Sequence, residues 1–206
     1  MKVFTIGHSN HPLEAFRDLL QRHAVQTVVD VRSSPYSQYC PHFDREALHA
    51  YLNEHGVAYR FLGDALGGRP PDDSFYDERG RVLYDQVAAS PAFRQGIDRL
   101  IREARRHRVA VLCGEEDPTE CHRRRLVGRV LTQRGLEVIH IRGDGRAQTE
   151  EELARDEHLR KTGGQLTLFE IEEADPWRST RSVSRERPLG SFSGPSSGPE
   201  SAESST

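Results

Sequence analysis

Cys113, Cys121 and His122 are the residues best suited to chemistry, because two thiols and an imidazole fall close together in the chain. A thiolate is both a nucleophile and a soft metal ligand, and its reactivity depends on how far its surroundings lower the thiol pKa. Cys113 follows the apolar run Val109-Ala110-Val111-Leu112 and precedes Gly114, which places it at the tip of a buried strand. Cys121-His122-Arg123 opens a helix, where free N–H groups and the helix dipole attract anions and lower a thiol pKa. Together with Glu115 these residues form a set that could gather a divalent metal. The spacing Cys-x7-Cys-His matches no standard zinc framework, however, so a metal is a candidate and not the favoured reading. Plain burial is the commoner fate of a single cysteine.

The same kind of position recurs elsewhere. Thr5-Ile6-Gly7 runs into His8-Ser9-Asn10, Thr27-Val28-Val29 into Asp30-Val31-Arg32, and Val138-Ile139-His140-Ile141 into Arg142-Gly143-Asp144. Asp30 and Glu115 are candidates for a general acid or base. Arg32, Arg123 and Arg142 carry planar forks that suit phosphate or carboxylate, although an Asp–Arg pair is as readily a structural ion pair. His8 and Ser9 after Gly7 fit a nucleophile or phosphate-binding loop, but no third member of a Ser-His-Asp triad can be assigned. The expected catalytic set is Asp30, Cys113, Glu115, Cys121 and His122, with His8, Ser9, Arg32, Arg123 and Arg142 holding a substrate.

Positioning these groups requires strands that end together. Val3 to Ile6 is a strand, Pro12 with Leu13, Phe16, Leu19 and Leu20 a helix, and Thr27 to Val31 a second strand. Asp44 opens a helix that ends at Gly56, Val57 to Leu62 is a third strand, and Gly63 to Gly80 is a surface excursion. A helix from Ser90-Pro91, the strand Val109 to Cys113, a helix from Cys121 to Arg134, the strand Val138 to Ile141 and a helix from Thr149 to Lys161 complete the pattern. Five strands alternating with helices predict an α/β fold: an open, mostly parallel sheet covered on both faces. In such sheets ligands bind beyond the carboxyl ends of the strands, where the polar residues above collect.

With 206 residues, 30% charged and 35% hydrophobic, the chain is expected to hold one domain, residues 1–162, followed by a linker, 163–175, and a disordered tail, 176–206. No apolar run has the length of a membrane span or of a signal peptide, and three cysteines make an unpromising disulfide framework, so a cytoplasmic protein without membrane partners is expected. Net charge is −3, with the acidic excess in the tail. Arginines crowd Arg99 to Arg108 and Arg123 to Arg134, and Tyr36, Tyr39 and Phe43 stand ready to stack on bases, which keeps nucleic acid among the candidate partners.

The chain resembles the family catalogued as domain of unknown function 488. The resemblance rests on Thr5-Ile6-Gly7-His8-Ser9, on Asp30-Val31-Arg32 with Pro35, on Leu62-Gly63 and Leu66-Gly67-Gly68, and on Leu112-Cys113-Gly114-Glu115 running to Cys121-His122-Arg123. It spans about Met1 to Gly145 and implies a Rossmann-like α/β fold without implying a reaction. Separately, Gln165-Leu166-Thr167-Leu168-Phe169 resembles the short peptide by which bacterial DNA polymerases and repair proteins bind the sliding clamp, with Gln165, Leu166, Leu168 and Phe169 as its contact residues. Three functions are compatible with these features. The first is an enzyme acting on a phosphate-bearing substrate such as nucleic acid or a nucleotide, in DNA repair if the clamp peptide operates. The second is a non-catalytic nucleic-acid module recruited to the clamp. The third is a thiol-based or rhodanese-like transferase with Cys113 as acceptor.

Overall fold

Runs of β-branched residues flanked by amphipathic helices produce the alternation that the sequence predicts. The computed structural model describes residues 1–162 and 177–182. Strands β1 (Lys2–Gly7), β2 (Thr27–Asp30), β3 (Ala58–Phe61), β4 (Val109–Cys113) and β5 (Glu137–Ile141) are parallel, and β6 (Ala147–Thr149) runs antiparallel to β5. Their spatial order is β3-β2-β4-β1-β5-β6. This is the expected open, mostly parallel α/β sheet with helices on both faces, with a sixth strand added. Ala147-Gln148-Thr149 is too short and too polar for a strand signal, and pairing with β5 is what makes it one.

The central strands β1, β2, β4 and β5 are buried on both faces, so they are largely apolar rather than alternating, whereas β3 and β6 at the edges are not. Val3, Val29, Val31, Val109, Val111 and Val138 point to one face, beneath α3 (Gly63–Leu66), α4 (Tyr84–Ala89), α5 (Pro91–Arg106) and α6 (Arg129–Gln133). Phe4, Ile6, Val28, Ala110, Leu112, Ile139 and Ile141 point to the other, beneath α1 (Leu13–Arg22) and α2 (Arg45–Glu54). Helix α5 starts where the Ser90 hydroxyl accepts the Phe93 N–H at 3.3 Å, with Pro91 in its first turn. Helix α7 (Glu150–Thr162) starts on a capping box: the Thr149 N–H donates to the Glu152 carboxylate at 2.8 Å, and the Glu152 N–H returns to the Thr149 hydroxyl at 3.2 Å.

Three expectations need correcting. The stretch Gly63 to Gly80 is only in part a surface excursion, since α3 brings Leu66 into the core, packed against α5. The helix expected from Cys121 begins instead with a π-helical turn, Arg123–Gly128, in which the Arg129 N–H reaches back five residues to the Arg124 carbonyl. The tail is structured over residues 177–182, where the Tyr84 N–H donates to the Trp177 carbonyl at 2.7 Å and the Ser179 N–H to Val82 at 3.1 Å. There the Arg129 guanidinium lies 4.5 Å above the Trp177 ring. One aromatic ring with a cation over it supplies the apolar contact that composition averaged over 176–206 hides. Among the described residues no helix is long and apolar enough to cross a membrane.

Strand β4 lies between β2 and β1, and the chain leaving it departs differently from the chain leaving its neighbours. The helices that follow β1 and β2 pack on the second face, whereas the π-helical turn and α6 that follow β4 pack on the first. Connections that diverge in this way open a crevice at the strand tip, and Cys113 is the last residue of β4.

Candidate active site

Cys113, Cys121 and His122 converge at that tip, with their ligating atoms all within 4.8 Å of one another. His122 Nδ1 lies 3.5 Å from Cys113 Sγ and 3.9 Å from Cys121 Sγ. On the other side of the ring, Nε2 donates to the Val31 carbonyl at 3.0 Å. A carbonyl only accepts, so Nε2 carries a proton and Nδ1 is the ring nitrogen that faces the two sulfurs. Gly68 makes this approach possible, because a side chain there would place its Cβ 2.6 Å from the His122 ring.

The two buried thiols have opposite electrostatics. The Cys121 thiol donates to the Cys113 sulfur, which also accepts from the backbone N–H groups of Gly114 and Glu115 and lies in the field of the Arg123 guanidinium. These contacts outweigh burial and lower the Cys113 pKa from 9.0 to about 7. Burial, reinforced by the bond to Cys113, pushes Cys121 up instead. The expectation that a helix start would lower the Cys121 pKa is therefore overturned: the thiol is sealed from water, and it serves as donor in the pair.

Arg32, Asp30 and His8 form the adjoining wall. Arg32 Nε and Nη2 grip the Asp30 carboxylate, the closest contact being 2.6 Å, and the Arg32 N–H adds a bond of 3.0 Å. The Tyr59 hydroxyl also donates to Asp30, at 2.7 Å, and Arg32 Nη2 reaches the Phe43 carbonyl at 2.9 Å. With Asp30 wholly buried and both of its oxygens engaged, this carboxylate positions Arg32 and is poorly placed to take a proton from a ligand. Arg32 Nη1 donates to His8 Nε2 at 3.2 Å, while His8 Nδ1 donates to the Ser9 carbonyl at 2.7 Å. The His8 ring stacks on Phe43, which is buried and so is not a base-stacking residue, whereas Tyr36 and Tyr39 are exposed. Ser9 takes a left-handed backbone with φ of 47° and donates its N–H to the Gly114 carbonyl at 2.8 Å, tying the β1 exit to the loop after Cys113.

Other expected site residues have different work. The Glu115 side chain is exposed, and its backbone contributes instead: its N–H faces Cys113 and its carbonyl accepts from Arg123. Arg123, fully buried, spends its fork on the Glu115 and Glu116 carbonyls and fastens the 114–116 loop. Arg142 is held by Glu116 through two bonds of 3.0 Å and by Gln148. Neither arginine is an open anion fork. Sequence reasoning missed Tyr59, Glu116 and Gly68; adjacent Glu115 and Glu116 are indistinguishable until the loop's direction is known. Arg99, Arg102, Arg105 and Arg106 are exposed on α5, and Arg108 beyond its end lies over the Phe4 ring at 4.7 Å. Gln165, Leu166, Leu168 and Phe169 lie outside the described residues.

Burial, followed by the charge on Arg32, lowers the His8 pKa from 6.5 to about 4, against smaller opposing effects from Ser9 and Asp30. Because the folded value is the lower one, the unfolded chain binds the proton first, and stability falls as pH drops through this interval. His8 alone accounts for up to about 3 kcal/mol of that loss. Melting temperature followed from pH 7 to about pH 4.5 should fall less steeply for His8→Gln than for the native chain; parallel curves would show that His8 does not hold a proton back.

No curated protein and no solved structure matches the chain. A family model does, over residues 12–130, a span that begins after His8 and Ser9, takes in Asp30, Arg32 and the whole thiol–imidazole cluster, and stops before β5. The chain belongs to the family described as domain of unknown function DUF488.

Proposed function

We propose that the chain is a thiol-dependent sulfur transferase in which Cys113 accepts the sulfur. The observation that carries this reading is the surroundings of Cys113 Sγ at a strand tip: His122 Nδ1 lies 3.5 Å away, Cys121 Sγ is within 4.8 Å, and the Cys121 thiol, the Arg123 charge and the Gly114 and Glu115 N–H groups favour its anion. Such donors stabilise a sulfur anion before and after transfer, as fixed dipoles do at any site of developing charge. With thiosulfate as donor, the Cys113 thiolate attacks the outer sulfur and a new S–S bond forms. The original S–S bond breaks, sulfite leaves with the electron pair, and Cys113 is left as a persulfide anion over the same donors.

A phosphate-bearing substrate is the weaker reading, since Arg123 and Arg142 are committed to protein acceptors and Arg32 largely so. The test is incubation of the metal-free, reduced chain with thiosulfate, followed by mass spectrometry of its peptides. Cys113 should carry one added sulfur, Cys40 none, and Cys113→Ser should lose both the adduct and sulfite release. A native chain with no adduct on Cys113, or a variant that releases sulfite at the native rate, would sink the proposal.

A further inference from the structure

The same three ligand atoms lie within 4.8 Å of one another, and the two edges that meet at His122 Nδ1 are close to those of a metal centre. Tetrahedral zinc, with bonds of about 2.3 Å to sulfur and about 2.0–2.1 Å to nitrogen, sets neighbouring ligand atoms about 3.5–3.8 Å apart. The two sulfur-to-Nδ1 distances are 3.5 and 3.9 Å. With Nε2–H committed to the Val31 carbonyl, the nitrogen that the His122 ring has left for a cation is Nδ1, on the side of the sulfurs. This is the arrangement in which a backbone carbonyl fixes the tautomer of a ligating histidine. The Cys121 sulfur also accepts the backbone N–H of Arg123 at 3.5 Å. Such N–H groups orient and support a metal-bound thiolate.

We propose that Cys113 Sγ, Cys121 Sγ and His122 Nδ1 bind one soft divalent cation of the zinc class. Two thiolates balance the charge of the cation, and binding releases the two thiol protons. The sulfur donors select zinc-like cations over calcium or magnesium, which prefer oxygen. Among the described residues the cluster offers three ligands, so the fourth place of a tetrahedral cation would fall to a water molecule or an exogenous group, as in reactive rather than purely structural zinc sites. A cation on Cys113 Sγ also occupies the electron pair that would attack a sulfur donor. Transfer and cation binding are thus alternative states of one centre, a consequence that rests on the transferase reading although the cation site does not.

The experiment titrates the full chain, stripped by a chelator and kept reduced, with Co(II) as the probe and then with Zn(II). One equivalent of Co(II) should give thiolate-to-metal charge-transfer absorption and tetrahedral d–d bands, both bleached by Zn(II). Cys121→Ser and His122→Gln should each weaken binding by at least about tenfold, while Cys40→Ser leaves it unchanged. Zn(II) should raise the melting temperature of the native chain and of Cys40→Ser but not of Cys121→Ser, which separates loss of the site from loss of the fold. It should also suppress thiosulfate labelling of Cys113 until a chelator restores it. Absence of the charge-transfer band at one equivalent, or the same band in Cys121→Ser and His122→Gln, overturns the site. A stripped chain that binds Co(II) yet takes no sulfur overturns the transferase reading and supports the cation site. One that takes sulfur and shows no band does the reverse.

Discussion

Asp30→Asn should destabilise the chain by about 3–5 kcal/mol, the usual consequence of removing one partner from a buried ion pair. Asparagine keeps the volume but removes the charge that Arg32 faces, and Arg32 is only 7% exposed. The carboxylate now accepts the Arg32 N–H, Nε and Nη2 and the Tyr59 hydroxyl. The amide can satisfy only part of that set and points a donor at donors. For a domain of this size the loss corresponds to roughly 6–20 °C in melting temperature. Adding Arg32→Met should recover part of it, since the uncompensated cation is then gone. Urea denaturation of the three proteins measures both steps. A loss below about 1 kcal/mol in the single variant would mean that Arg32 reaches water and that the pair behaves as a surface salt bridge.

Gly7→Ala should cost about 3 kcal/mol, at the upper end for overpacking, for a reason unrelated to backbone strain. A Cβ at Gly7 would lie 1.8 Å from the Glu115 carbonyl oxygen and 2.9 Å from Glu116 Cα, and backbone atoms cannot rotate aside as a side chain does. The β1 exit and the 114–116 loop would have to part, taking with them the bonds from the His8 N–H to the Cys113 carbonyl and from the Ser9 N–H to Gly114, at 3.0 and 2.8 Å. Gly135→Ala is the informative comparison. Gly135 has φ of 79° and nothing within 4 Å of its would-be Cβ, so the change there costs only the left-handed penalty, about 1 kcal/mol. Gly7→Ala should also lose thiosulfate labelling of Cys113, whereas Gly135→Ala should keep it. Equal stability losses with labelling intact in both would show that the loop yields without disturbing the sulfur.

The fold class was legible because an apolar strand run and an amphipathic helix face are local patterns, and the chain repeats them in alternation. Val109 to Cys113 reads as a buried strand from five residues, and Phe16, Leu19 and Leu20 read as one helix face. The strand order was not legible, because nothing in Val109-Ala110-Val111-Leu112 states that its neighbours are β2 and β1. Neither was the docking of Trp177 beneath Arg129, a contact between residues far apart in sequence and set in a polar stretch.

For the site, the residue types alone pointed to Cys113, Cys121 and His122, since thiols and imidazoles at a strand tip and a helix start have little to do but be buried or react. The roles were decided by the fold. Two thiols of equal intrinsic acidity diverge because one receives donors and the other donates within the same buried space. Arg32, Arg123 and Arg142 look alike in the sequence, yet each is occupied by whatever acceptors the chain folds against it: a carboxylate two residues away, the carbonyls of the β4 exit loop, and Glu116. Sequence by itself determined which chemistry was available and that the strand ends would hold it. Which groups touch, and which are spent on one another, only the tertiary structure decided, because hydrogen bonds and Coulomb interactions depend on distances of a few ångströms between residues that chain position leaves unspecified.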